Sequence, residues 1–453
     1  MSQVVIIGNG IAGITAARHI RKRSDVPITV VSAESDHFFS RTALMYIYMG
    51  HMTYDNTKPY EDWFWDKNRI SLVRGYVDQV DTEAKKVRLA GGRHLPYSSL
   101  IIASGSKSNK FGWPGQDLDG VQGLYSLQDL EQMEKSTAGI ERAVVVGGGL
   151  IGVEMSEMLH SRGIPVTFLV RETSWMNFAY PPEESAMINR EIRAHGIDLR
   201  LGTEIERIEG DERGSARAVV TKGSETQASE TLPCDFVGLT VGVSPNIDFL
   251  RGSGIELDRG VLVDDHLRTS APDVYAAGDC VQLRNPKPGR RPIEPLWYTG
   301  RMMGETIART LCGEETAYDP GIWFNSAKFF DLEWQVYGQV PAKLGDGEKT
   351  LYWEHPDGGR AIRIVYRAED LAVTGFQLMG IRYRHELCQR WIADGCPLPE
   401  VLENLGAANF DPELYRQYEG ELVALYNRQH PGAPLRLRRR RGLKGMLELL
   451  RAS

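Results

Sequence analysis

The sequence predicts an α/β protein made of two similar parallel-sheet units and a third, α+β region. Three observations carry this. An apolar, β-branched run, Gln3–Ile7, leads into Gly-Asn-Gly-Ile-Ala-Gly and then a helical pattern from Ile14 to Arg23. The same order returns 139 positions later, where Ala143–Val146 runs into Gly-Gly-Gly-Leu-Ile-Gly and a helical segment to about Arg162. From about residue 319 the composition changes, with Trp323, Phe324, Phe329, Phe330, Trp334 and Tyr337 crowded together. A repeat at that distance is a duplicated half rather than a solenoid, whose period would be about 20–50 residues.

The remaining elements follow in order. Residues 28–31 (ITVV) read as the strand that closes the first βαβ unit, and 166–170 (VTFLV) as the strand that closes the second. Between them, 84–103 reads as strand, turn, strand, and the turn formers of 112–120 make a domain connection. A polar 209–230 stretch reads as a hairpin or loop, and 236–247 is expected to return the chain to the first domain. The expected domains are therefore 1–112 with 236–318, an inserted 113–235, and a C-terminal 319–453 ending in a basic tail. Three domains suit 453 residues at roughly 150 residues each.

Composition narrows the class. Lys and Arg number 53 against 60 Asp and Glu, and 42% of the chain is hydrophobic, which excludes collagenous and largely disordered chains. Five cysteines (Cys234, Cys280, Cys312, Cys388, Cys396) lack any CxxC spacing, which excludes a zinc ribbon or a thioredoxin-type pair and fits a reducing compartment. The chain enters a strand pattern at once, without a signal-peptide pattern, and no apolar run approaches the ~18 residues of a membrane span. A cytoplasmic enzyme is expected.

The glycine turns carry the first chemistry. Gly8, Gly10 and Gly13 form GxGxxG after a strand and at a helix start. The first allows a tight turn, the second lets the backbone approach a pyrophosphate, and the third lets helix and strand pack closely. Gly147, Gly149 and Gly152 repeat the pattern, with Ile151 between them. Two such folds suggest two dinucleotides, one tightly bound flavin and one exchangeable nicotinamide. At the end of the next strand in the first unit, either Ser32 or Glu34 takes the ribose hydroxyl, and Glu34 is otherwise a solvated acid. In the second unit Val170 and Arg171 point to NADPH, while Glu172 keeps NADH open.

Residues 269–279, TSAPDVYAAGD, resemble the second FAD signature of the two-dinucleotide-binding flavoprotein reductases, the pyridine nucleotide–disulfide oxidoreductase superfamily. The resemblance covers about 1–310. It implies two Rossmann-like domains, for FAD and NAD(P)H, and an interface domain. It sets Gly278 and Asp279 beside FAD, the Asp279 carboxylate accepting from a ribityl hydroxyl. Residues 100–106, with Ala103, Ser104 and Gly105, look like the family strand ending in Ala-Thr-Gly. Residues 238–246 look like the link back to the FAD domain, and Val77 like the residue whose backbone meets the adenine.

Disulfide reductases and thiol-dependent oxidases of this superfamily carry cysteine just after the first βαβ unit. Here that segment is His37-Phe38-Phe39-Ser40-Arg41-Thr42-Ala43-Leu44, so thiol catalysis is not expected. It is instead similar to the Tyr-x-Arg-Pro-x-Leu stretch of ferredoxin and rubredoxin reductases. That similarity sets Ser40 and Arg41 at the flavin, with Arg41 neutralising the pyrophosphate. Met45-Tyr46 stand where those enzymes usually have Ser-Lys. Residues 293–301 (IEPLWYTGR) resemble the same branch's helix start near the flavin, through Glu294, Leu296, Trp297 and Gly300. Glu154 matches a family glutamate close to the nicotinamide and is the candidate for a catalytic role.

The resemblance implies an FAD-dependent NAD(P)H oxidoreductase whose acceptor is a ferredoxin- or rubredoxin-type iron–sulfur protein. Two other readings stay open, a quinone reductase of the NADH dehydrogenase type and a redox-sensing interaction protein akin to apoptosis-inducing-factor relatives. A homodimer is compatible with either. The tail, 434–453, is rich in Arg and Lys, with Leu443, Met446, Leu447 and Leu450 at helical spacing. It is either a solvated end or a contact with an acidic partner or anionic membrane. No motif supports nucleic-acid binding.

Overall fold

The computed structural model describes residues 3–223, 228–410, 414 and 416–438. The chain divides into two compact units, 1–171 with 197–320, and 172–196 with 321–453.

In the first unit the buried apolar runs become parallel strands. Val274–Ala276, Ser99–Ile102, Val4–Ile7, Ile28–Ser32 and Ile70–Arg74 form one parallel sheet in that order. Every residue of Val4–Ile7 and Ile28–Ser32 is buried, as strands covered on both faces require. The helices Ile11–Arg21 and Trp297–Leu311 pack closely. A Cβ at Gly304 would lie 2.5 Å from the Ala12 carbonyl oxygen, so small residues set the helix spacing.

A second parallel sheet has the order Asp198–Leu201, Val166–Val170, Ala143–Val146, Phe236–Leu239, Val121–Gln122. This corrects the boundary expected at 236. Phe236–Leu239 pairs with Ala143–Val146 inside the second sheet, because all four residues are apolar or glycine and buried there. The strand that leaves it is Val243–Pro245, which pairs with Ser106–Ser108. The polar 209–230 stretch contributes to a three-stranded antiparallel sheet, Ile205–Gly210, Ala216–Thr221 and Thr231–Pro233. Residues 224–227 lie outside the described ones.

The second unit is an antiparallel five-stranded sheet in the order Phe324–Phe329, Leu332–Gly338, Val373–Met379, Ala361–Arg367, Glu348–Glu354. The helices His385–Ala393, Leu398–Asn404 and Glu419–Gln429 share its apolar core. The aromatics of 323–338 are mostly core here: Phe329, Phe330, Trp334 and Tyr337 are all buried. The helix Pro182–Ala194, expected with the inserted domain, belongs to this unit. Its buried Glu184 is bound by Arg363 of the sheet. Of the basic tail, Arg438 pairs with Glu403 at 2.8 Å and Leu435 and Leu437 pack on the core. The amphipathic pattern from Leu443 to Leu450 lies outside the described residues. No described helix is long and apolar enough to cross a membrane.

Candidate functional site

Both glycine turns separate what the fold needs from what a ligand needs. Gly8 has φ +106°, and a Cβ there would lie 2.1 Å from the Ala103 carbonyl oxygen. A Cβ at Gly13 would lie 2.1 Å from the Gly8 carbonyl oxygen. Gly10 differs: its φ is −72°, and among the described residues a Cβ there meets nothing within 4 Å. The second turn repeats this, with Gly147 and Gly152 hemmed in by backbone and Gly149, at φ −94°, meeting nothing within 4 Å. The middle glycines are thus required by neither conformation nor packing. A pyrophosphate drawn against the backbone is the physical reason for glycine at these places. Among the described residues no side chain caps either following helix, so its first amides can serve an anion. Both sites fit a dinucleotide.

Around the first turn the structure gathers a polar cluster. The Ser32 hydroxyl accepts from the Glu34 N–H at 3.1 Å, so it closes the turn after its strand. The Glu34 carboxylate accepts from both Nη atoms of Arg41, at 2.7 and 2.5 Å, and from the Leu127 N–H at 2.9 Å. The two residues expected separately at ribose and pyrophosphate are thus one bidentate ion pair here. Arg41 also donates to the Tyr125 carbonyl at 2.6 Å and lies over its ring.

Tyr125 is the residue the sequence reading missed. Its hydroxyl donates to Asp279 Oδ2 at 3.1 Å and accepts from the Ser106 N–H at 2.9 Å. It thereby joins Arg41, Glu34 and Asp279 into one network. Burial raises the Asp279 carboxyl above its ordinary range. A signal for this segment exists one residue on: Ser126 and Asp129 form a capping box at the helix Leu127–Ser136.

The other expected residues fall nearby or are engaged elsewhere. Ala103 abuts Gly8, and Gly105, at φ +68°, accepts from the Asn246 N–H at 2.9 Å. Gly278 faces Ala12 of the first helix. Val77 is buried at the start of Val77–Asp81. Ser40 precedes the short turn Arg41–Ala43 and its hydroxyl meets Thr42 at 3.2 Å. Leu296 precedes the helix that Trp297 begins. Glu294, expected at the flavin, is buried and held by Arg290 at 2.7 and 2.5 Å.

At the second turn, Ile151 and Glu154 lie on the first turns of Leu150–Ser161. Burial, and then the neighbouring Glu157, push the Glu154 carboxyl up to about 7. Arg171 is exposed and Glu172 half-buried just after Val166–Val170. All five cysteines are free thiols. Burial pushes Cys280, beside Asp279, up to about 11, the opposite of an activated thiolate.

A family model described as "Pyridine nucleotide-disulphide oxidoreductase" matches residues 2–304. Among curated proteins, the chain is 29% identical over 383 residues to the nitrite reductase [NAD(P)H] of Bacillus subtilis (strain 168), covering 83% of this chain and 45% of that protein. It is 30% identical to the 5,5'-dehydrodivanillate O-demethylase ferredoxin reductase subunit of Sphingobium sp. (strain NBRC 103272 / SYK-6), covering 75% of this chain and 82% of that protein. The chain thus spans under half the length of the nitrite reductase, and likewise 40% of the assimilatory nitrate reductase electron transfer subunit of the same Bacillus. Its fold matches the solved NAD-dependent persulfide reductase from A. fulgidus with a TM-score of 0.81 at 23% identity, over 95% of this chain and 84% of that one.

Proposed function

The chain belongs to the pyridine nucleotide-disulphide oxidoreductase family, whose relatives are FAD-containing, NAD(P)H-dependent oxidoreductases, and from this premise we propose that it passes electrons from NAD(P)H through FAD to a small iron–sulfur protein of the ferredoxin or rubredoxin type. The observation that carries this reading is the pair of glycine turns whose middle glycines the fold itself does not need. The FAD domain is formed by 1–112 with 240–318, and the NAD(P)H domain by 113–171 with 197–239. Segment 37–44 holds no cysteine, and the name of the Sphingobium relative supports the choice of acceptor.

FAD, when bound, supplies the conversion of a two-electron hydride into single electrons. The protein's part is to bind and orient. The amides after Gly10 hold one pyrophosphate and those after Gly149 the other. Glu34 takes the ribose and Asp279 the ribityl chain, with Arg41 placed to exchange its partner for phosphate. Tyr125 holds the Asp279 carboxylate in register. Ala103, Gly105, Gly278, Leu296 and Trp297 border the flavin, and Arg171 or Glu172 selects between NADPH and NADH.

The test is anaerobic mixing of the purified protein with NADPH or NADH, followed by a ferredoxin or a rubredoxin. Fast bleaching of the visible flavin band by one nucleotide, then reduction of one iron–sulfur protein, is expected. Bleaching with electrons passing only to quinones would reject the acceptor.

Glu154 adds a pH dependence. Its carboxyl loses a proton near pH 7 rather than near 4.5. The rate of bleaching is therefore expected to change in a single step near pH 7, and Glu154→Gln to flatten that step between about pH 5.5 and 8.5. Stability follows the same group. A carboxyl whose pKa is raised on folding keeps its proton where the unfolded chain has lost it. Its contribution declines as pH rises from the ordinary carboxyl range to about 7, then levels, and the Gln variant lacks that decline.

A further inference from the structure

Within the second unit, three side chains converge where the helix Pro182–Ala194 ends against the turn joining Phe324–Phe329 to Leu332–Gly338. They are Glu191, His195 and Asp331, whose ligand-capable atoms all lie within 4.8 Å of one another. Glu191 and His195 are four apart at the helix end, so they share one face. Asp331 comes from the turn.

Three features make this cluster more than a surface ion pair. The His195 Nδ1 lies 3.0 Å from the Glu191 carbonyl oxygen. An Nδ1–H donated there would leave Nε2, which faces Asp331, as the ligand nitrogen, as carbonyl-bonded histidine ligands of metals are commonly held. Nε2 lies 3.3 Å from Asp331 Oδ2, so a ring nitrogen and a carboxylate oxygen face one another from two elements. Bonds of about 2.0–2.2 Å meeting at a tetrahedral angle put ligand atoms roughly 3.3–3.6 Å apart, which is the separation of Nε2 and Asp331 Oδ2, and the Glu191 carboxylate lies within 4.8 Å of both ligand atoms.

The turn also carries backbone strain. Phe330 has φ +52°, a conformation that bulky residues rarely adopt, and its ring stacks on His195 at 4.5 Å. That stacking orients the imidazole and sets the next residue, Asp331, at its Nε2. The Asp331 N–H donates to Glu191 Oε1 at 3.0 Å, which fixes the carboxylate against the same turn.

We propose that Glu191, His195 and Asp331 form a binding site for a divalent transition-metal ion of the zinc class. One imidazole and two carboxylates supply nitrogen and oxygen donors and two negative charges, which suits such an ion. Three protein ligands leave a fourth position to water. The metal ties the helix end to the turn, and this role is independent of the electron-transfer reading.

The test is calorimetric titration of the chelator-treated, full-length flavoprotein with Zn2+ alone, beside His195→Gln and Asp331→Asn. One saturable equivalent is expected in the parent, weakened at least about tenfold in each variant. Zn2+ should also raise the parent's thermal midpoint and leave both variants unmoved. Asp331 is exposed, so its substitution leaves the core intact and keeps the test decisive even where the histidine variant folds poorly. The proposal is overturned by no saturable binding, or by binding that Asp331→Asn leaves unchanged. It is equally overturned by a cluster whose stability follows pH but not metal, as for an imidazolium bridging the two carboxylates.

Discussion

Replacing Gly10 with valine is expected to give a folded protein without flavin, and replacing Gly149 with valine a folded, flavin-bearing protein that NAD(P)H no longer bleaches. Both positions have ordinary extended backbone, and among the described residues neither has an atom within 4 Å of the new Cβ. The fold loses little more than a good N-cap residue, about 1 kcal/mol. A pyrophosphate held against the backbone would overlap the new methyl groups. Overpacking of this kind costs about 3 kcal/mol, roughly a hundredfold in affinity. Gly8→Val and Gly13→Val behave differently, because their Cβ atoms would lie 2.1 Å from backbone oxygens. These variants should fail to fold, and adding FAD should not rescue them. Circular dichroism reports the fold, the visible band reports flavin, and stopped flow reports the nicotinamide site. Flavin retained by Gly10→Val would reject the assignment of the first turn.

The contrast shows what the sequence makes legible. A GxGxxG pattern between a strand and a helix names three glycines, yet only their surroundings separate fold from ligand. Strands such as Ala143–Val146 and Val166–Val170 are read directly, because apolar β-branched runs followed by glycine have few alternatives. The first helix begins at Ile11 rather than near Ile14, because Gly13 is packed inside it instead of ending the turn.

The misses are tertiary. Phe236–Leu239 looks the same whichever sheet it joins, and only pairing with Ala143–Val146 decides. Tyr125 belongs to no motif and enters the site because its hydroxyl reaches Asp279, 154 positions away. The Glu34–Arg41 pair is seven positions apart, but nothing in that spacing says that the two meet. The ownership of Pro182–Ala194 follows from Arg363, far along the chain.

That arginine carries the second large effect. Arg363→Met is expected to destabilise the second unit by about 3–5 kcal/mol, the cost of leaving a buried charge without its partner. Arg363 is 5% exposed and Glu184 is 0% exposed. Arg363 donates to Glu184 at 2.7 and 3.0 Å and to Glu183 at 2.7 Å, and it lies over the Tyr352 ring. Burial already raises the Glu184 carboxyl, and Arg363 opposes that rise. Without the arginine the carboxyl rises further. The loss is therefore largest above the ordinary carboxyl range and shrinks as acid protonates Glu184. Urea unfolding at about pH 5 and pH 8, followed by the fluorescence of Trp334, Trp353 and Trp391, reads both magnitude and sign. Arg363→Met with Glu184→Leu should recover most of the loss, since well-packed apolar replacements of a buried pair are often near neutral. A single variant that loses under about 1 kcal/mol, or a double variant no better than the single, would mean that the pair does not hold the helix Pro182–Ala194 to the sheet.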